Sequence, residues 1–168
     1  MEPEGKIDDS LYQFNVRNSD DDYEIDLIYS SYLTLFTINF HHSGLFTDYP
    51  SRSYENGELN FVDLLDTKDF CMKNLEAIKQ KLGYEDREET YYHYIEPGGD
   101  LNSGIHGLRN EKDILIFHSY ITLQNRFLDV YLEHGCTNVL YLSKSTNNLL
   151  LCQNEPSNES IKVLSLAA

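Results

Sequence analysis

The sequence predicts an α+β domain built on one mixed sheet, and three observations carry that expectation. Apolar residues alternate with a period of two in "TLFTINF" (34–40) and again in "RFLDVYLEH" (126–134), as in strands that turn one face to a core. Between them, "DTKDFCMKNLEAIKQKL" (66–82) sets Cys71, Leu75, Ile78 and Leu82 on one helical stripe. Asn56-Gly57 and Pro97-Gly98-Gly99-Asp100 interrupt the apolar segments where a chain would turn.

Each element follows in order. Residues 1–22 are polar and acidic, end in Ser19-Asp20-Asp21-Asp22, and read as a flexible arm with one short strand over 11–16. From Tyr23 the pattern turns β-rich; 23–32 either adds a strand or extends the first one. In 34–40, Phe36, Ile38 and Phe40 face one way and Leu35, Thr37 and Asn39 the other. Ser43-Gly44 makes a turn. "LFTDYPSRSYENGELNFVDLL" (45–65) is a second strand region, with Asn56-Gly57 as a tight turn inside it. The main helix over 66–82 starts from a cap at Asp66 or Thr67. It carries Lys79 and Lys81 at its negative end and stops at Gly83. "YYHYIEP" (91–97) is a strand, and Gly104 to Gly107 a glycine-rich turn. "NEKDILIFHSYITL" (110–123) is a second, shorter helix with Asn110 and Asp113 as a capping pair and Ile114, Phe117 and Ile121 as its stripe. After the last strand, "NVLYLSKSTNNLLLC" reads as a hairpin across 145–148, followed by a loose tail. The order is strand, strand, helix, strand, short element, helix, strand. It fits a ubiquitin-like β-grasp and does not by itself exclude a ferredoxin-like arrangement. The expected division is an acidic arm (1–34), a domain (35–134) and a C-terminal extension (135–168).

Charge narrows the function. The net charge is −15, with nine acids against two bases in 1–34 and seventeen against nine in 35–134. Such a surface repels phosphate backbones, so no direct nucleic-acid binding is expected, and it suits basic partners. No run of about eighteen apolar residues is present, so no membrane span is expected. The start lacks the basic and apolar regions of a secretory signal. Cys71, Cys136 and Cys152 follow no metal-ligand spacing and cannot all pair within the chain. An intracellular setting, cytoplasmic or nuclear, is the expectation.

The groups that could carry chemistry are few. His41 and His42 are neighbours on a strand and point to opposite faces, which argues against a shared metal. One should pack or bond near the turn and the other should be exposed. The six histidines show no His-x-x-x-His pattern, so no metal site is expected. Cys71, on the helix stripe, reads as a buried structural thiol. The loops 97–100 and 104–107 lack a phosphate-binding pattern and carry acids that would repel an anion. Neither catalytic residue nor cofactor is expected. Glu96, Asp100, Glu111 and Asp113 read as solvated carboxylates, with Asp113 also a helix cap, and together they make a negative surface.

The motifs "FTINFHHSGLF", "YENGELNFVDLLD", "LGY", "YYHYIEPGGDL", "GLRNEKDI" and "DVYLEH", in this order and spacing, resemble the plant Phox-and-Bem-one-like domain. That domain stands at the front of Mutator-like transposases and in short stand-alone proteins. The resemblance covers about a hundred residues, 36–134. It implies a ubiquitin-like β-grasp fold and a protein–protein interaction module. Wider relatives pair a basic first strand on one copy with an acidic loop and helix on another. Here Glu96, Asp100, Glu111 and Asp113 match the acidic side, while the first strand has no lysine or arginine and offers only His41 and His42. The resemblance therefore implies an acidic face that binds a basic partner surface or the protein itself, and not an enzyme. Two other readings stand beside it. One is a small enzyme or ligand-binding protein whose pocket gathers two or more of His41, His42, His93, His106 and His118. The other is an accessory domain acting beside a transposase near DNA.

Overall fold

A computed structural model describes residues 14–18, 24–135, 139, 141–142 and 149–150. Thirteen elements follow in chain order: β1 (Asn15–Arg17), α1 (Ile25–Ser31), β2 (Leu35–His42), β3 (Leu45–Thr47), β4 (Ser53–Glu55), β5 (Glu58–Asp66), α2 (Met72–Lys81), β6 (Thr90–Ile95), β7 (Ile105–Leu108), α3 (Glu111–Ser119), β8 (Phe127–His134), β9 (Tyr141–Leu142) and β10 (Leu149–Leu150). Six strands form one sheet in the order β1-β5-β2-β8-β6-β7. β2 and β8 run parallel, Thr37 opposite Phe127 and His41 opposite Tyr131, while the other pairs are antiparallel. Without β1, the first and last strands of the unit lie side by side in the centre. This is the β-grasp order, and the parallel central pair fixes the long crossover through α2.

Alternation in β2 sends Phe36, Ile38 and Phe40 to one face, where each is fully buried. They meet Leu75 and Ile78 of α2, Ile114 and Phe117 of α3, and Leu128, Val130 and Leu132 of β8 in one core. Burial of each such side chain stabilises the fold by roughly 1.5–3 kcal/mol. The opposite face is also covered. Phe46 on β3 packs edge-on against His93 at 5.5 Å, and Tyr54 on β4 against Tyr131 at 5.2 Å. Beneath this hairpin His93 Nε2 and Glu133 Oε2 pair at 2.7 Å, both buried. Burial pushes the Tyr54 and Tyr131 phenols up to about 12. At the other end of this face α1 lays Ile25 and Tyr29 on the sheet.

Several elements depart from expectation. The β-rich reading of 23–32 gives way to the helix α1. Ile25 and Tyr29 are buried four residues apart while Leu27 is exposed, a helical period rather than a strand's. The main helix begins at Met72 rather than 66, because Asp66 ends β5 and its backbone and carboxylate close a turn onto Phe70 N and Lys68 N. Cys71 is accordingly the N-cap of α2, half-buried, and not a thiol on the buried stripe. Asn74 Oδ1 accepts from the Cys71 backbone N–H at 2.8 Å. Of the glycine-rich turn over 104–107, only Gly104 lies in the loop; Ile105 to Gly107 belong to the edge strand β7, which pairs Ile105 with Ile95 and Leu108 with Tyr92. The second strand region divides into the β3–β4 hairpin and β5. The second helix closes at Ser119, and 120–125 turns back. Beyond Gly135, β9 pairs with β10; Cys136 and Cys152 lie outside the described residues. No helix among the described residues is long and apolar enough to cross a membrane.

Candidate interaction face

The acidic residues sit on two elements. Glu96 leaves β6 and enters the loop that returns as β7. Its side chain is largely covered: His106 Nε2 lies 3.1 Å from Oε2, and Tyr120 Oη donates to the same oxygen at 3.2 Å. Glu96 is thus a half-buried partner rather than a solvated acid. Gly98, in the left-handed region at φ 79°, turns the chain tightly, and Gly99 N–H donates to Glu96 O at 2.9 Å. Asp100 stands at the exposed tip. Its Oδ1 accepts from Ser103 N at 2.8 Å and Asn102 N at 2.7 Å, and these backbone donors hold its carboxyl below the usual range.

The other two begin α3. Asn110 caps the helix, its Oδ1 accepting from Lys112 N and Asp113 N. Asp113 reaches back to Arg109, accepting from its backbone N–H at 2.9 Å and its Nε at 3.2 Å. Its role is that of a cap, with little of its carboxylate in water. Glu111 is exposed and Oε1 accepts from Met72 N, 3.1 Å away, so it serves the orphan N–H groups at the start of α2. Each of the four carboxylates has a local partner, and Asp100 and Glu111 are the two classed as exposed.

Three residues unnoticed in the sequence shape this region. Arg52 on the hairpin donates its backbone N–H to Asn102 Oδ1 at 2.8 Å and its Nη1 to Leu101 O at 3.3 Å, tying the hairpin to the acidic loop. Tyr120 and Arg109 hold Glu96 and Asp113. Only Arg109, four residues before Asp113, left a signal in the sequence.

The strand that would carry the basic side has none. His42 turns into the core and is buried: Nε2 donates to Asn60 Oδ1 at 2.6 Å, and Nδ1 accepts from Tyr84 Oη at 2.7 Å. His41 lies on the opposite face, as expected, but is not exposed. It stacks on Tyr131 with centroids 4.2 Å apart and meets Asp129 Oδ1 at 2.8 Å, so any charge on it is locally neutralised. His118 Nε2 is buried without a hydrogen-bond partner, and burial holds its ring below the usual histidine range. A pocket at the end of α2 is lined by Gln80, Tyr84, Glu85, Asp86 and Arg87 and contains none of the five histidines. Among the described residues no group of three or more His, Cys, Asp or Glu side chains is placed to hold a metal ion.

No curated protein matches the chain. Among solved structures, a chain of the AtNBR1-PB1 filament (L-type), determined by cryo-EM, is 18% identical; the match covers 60% of this chain and 98% of that one at a TM-score of 0.37. The family model of the PB1-like domain, the Phox-and-Bem-one-like fold, matches residues 32–134, more than half of the sequence. That span holds β2 to β8 with α2 and α3, the β-grasp sheet and both helices of its core, and the chain belongs to the PB1-like family.

Proposed function

We propose that this protein is a non-enzymatic interaction module that presents the loop from Glu96 to Ser103 and the start of α3 to a basic surface, on a partner protein or on a second copy. PB1-like domains are protein–protein interaction modules, and the match over 32–134 is the observation that carries the reading. The charge asymmetry supports it. β2 contains no lysine or arginine and its histidines are committed to Asn60, Tyr84 and Asp129, whereas Asp100 and Glu111 reach solvent. The acidic side is then the side on offer. A partner surface with Lys or Arg gains on-rate and register from it, with a strong dependence on salt. Net charge −15 sets the chain against DNA, and an intracellular protein partner suits it better.

The test removes charge and keeps every hydrogen bond. Asp100→Asn preserves the acceptor of the loop, and Glu111→Gln preserves the acceptor for Met72 N. With a Lys/Arg-rich peptide as probe, the double variant should bind about tenfold more weakly at low salt. Its melting temperature should stay close to that of the parent. Equal affinity of the two proteins would remove the acidic face from the account.

A further inference from the structure

We infer a second interaction surface, apolar and centred on Leu33, that fits an amphipathic segment carrying lysine or arginine. Tyr32, Leu33 and Leu123 are each between 61% and 63% exposed, and Phe127 is 37% exposed. They come from two parts of the sequence that the fold joins. Arg126 is buried and donates through Nη1 to Leu33 O and Leu35 O, which draws the 122–125 turn with Leu123 against the 32–35 segment. Phe127 follows directly, paired with Thr37, and its ring lies 6.1 Å from that of Tyr29. Single exposed apolar residues are ordinary on protein surfaces, whereas a contiguous group is a mark of an interface.

The surroundings identify the occupant. Thr67 N–H donates to Thr34 O at 3.0 Å, which brings the 66–69 turn beside Leu33. That turn contributes Asp66 and the exposed Asp69, and the approach to α1 contributes the exposed Glu24 and Asp26, against Lys68 as the one exposed base of these two segments among the described residues. Arg126 does not offset them in contact, since its guanidinium faces backbone carbonyls in the interior. An apolar centre with an acidic rim selects apolar anchors flanked by cations. A second copy fits poorly: a two-fold contact would set each acidic rim against its own image, on chains of net charge −15. None of these apolar residues comes from the 96–103 loop or the first turn of α3, so the surface does not rest on the acidic loop.

The full chain should be titrated with three peptides of about eighteen residues, roughly five helical turns. One has leucine on one face and lysine on the other, one replaces lysine by glutamate, and one replaces leucine by serine while keeping the lysines. In the Asp100→Asn with Glu111→Gln background, where the acidic loop no longer competes for lysine, the Leu/Lys peptide should bind and the other two at least about tenfold more weakly. Adding Leu33→Ser with Leu123→Ser to that background should lose most of that binding without a change in charge. Undiminished binding to the leucine variant, or equal binding of the all-polar lysine peptide, would overturn the assignment. So would a dimer by light scattering that the leucine variant abolishes, because the surface would then belong to a second copy.

Discussion

Arg17 and Asp63 form an ion pair across the sheet edge, Nε to Oδ2 at 2.5 Å, with the carboxylate only 1% exposed. Thr37 Oγ1 donates to the same carboxylate at 2.8 Å, and Tyr29 Oη shares a hydrogen bond with that hydroxyl at 2.7 Å. Tyr29 Oη also accepts from Leu64 N at 3.1 Å, where Leu64 adopts φ 64° in a bulge between β2 and β5. β1 and α1 lie before the span matched by the family model, yet both enter this network. Arg17→Ala leaves a buried carboxylate with Thr37 as its side-chain donor. It should destabilise the protein by about 3 kcal/mol, less than a fully enclosed pair because part of the guanidinium meets water. Urea unfolding of the full chain measures it, and a chain starting at residue 32 should lose at least as much.

Gly44→Ala should destabilise by about 1–3 kcal/mol. A Cβ there would lie 2.5 Å from Tyr54 Cε1 and 2.8 Å from Glu55 O. Tyr54 cannot move aside without losing its bonds from Gly44 N at 3.1 Å and to Leu132 O at 2.7 Å. Near-ultraviolet circular dichroism on heating reports the loosened hairpin.

His118 makes stability depend on pH. Its ring packs beside Phe36, Phe70 and Phe117, and burial holds its folded pKa below the ordinary value, with Glu111 opposing weakly. The unfolded chain therefore takes up the proton first. Its contribution is fully present above the unfolded pKa of about 6.5 and declines as pH falls below it. The melting temperature should drop less between pH 7.5 and 5.5 in His118→Phe than in the parent. Parallel curves for the two proteins would contradict this.

His42→Ala should cost about 1–3 kcal/mol by stranding the buried Asn60 Oδ1, while Tyr84 Oη keeps its bond to Ser43 Oγ at 2.6 Å. Asn60 Nδ2 donates to Asn18 Oδ1 at 2.6 Å, so its oxygen faces the imidazole and the proton sits on Nε2. Added zinc should leave the parent's melting curve unchanged, since His41 points to the other face of the sheet.

Much of the fold is legible because its signals are local. The period of two in β2 and β8, the stripe of Leu75 and Ile78, and the Asn110 cap all depend on near neighbours in sequence. α1 and β7 are not legible in the same way. Ile25 and Leu27 satisfy a strand's period as well as Ile25 and Tyr29 satisfy a helix's, and only Tyr29 reaching Thr37 decides between them. Around β7, Gly104 and Gly107 resemble a turn until Ile105 finds Ile95. For the acidic face the residue types are readable but not their duties. Whether Glu96 meets water or Tyr120, and Glu111 water or Met72, depends on partners 24 and 39 residues away.

By itself the sequence determined the alternation of β2, the opposite facing of His41 and His42, the turn after them and the excess of negative charge. Each follows from backbone geometry or from counting ionisable groups. The tertiary structure alone decided that His42 is a satisfied core residue, that His41 is matched by Asp129, and that Arg17 and α1 are stitched to the sheet. It also drew the 122–125 turn, with Leu123, against the 32–35 segment, with Leu33. Those outcomes depend on which distant strands become neighbours. The parallel pairing of β2 with β8 sets that, and no local pattern encodes it.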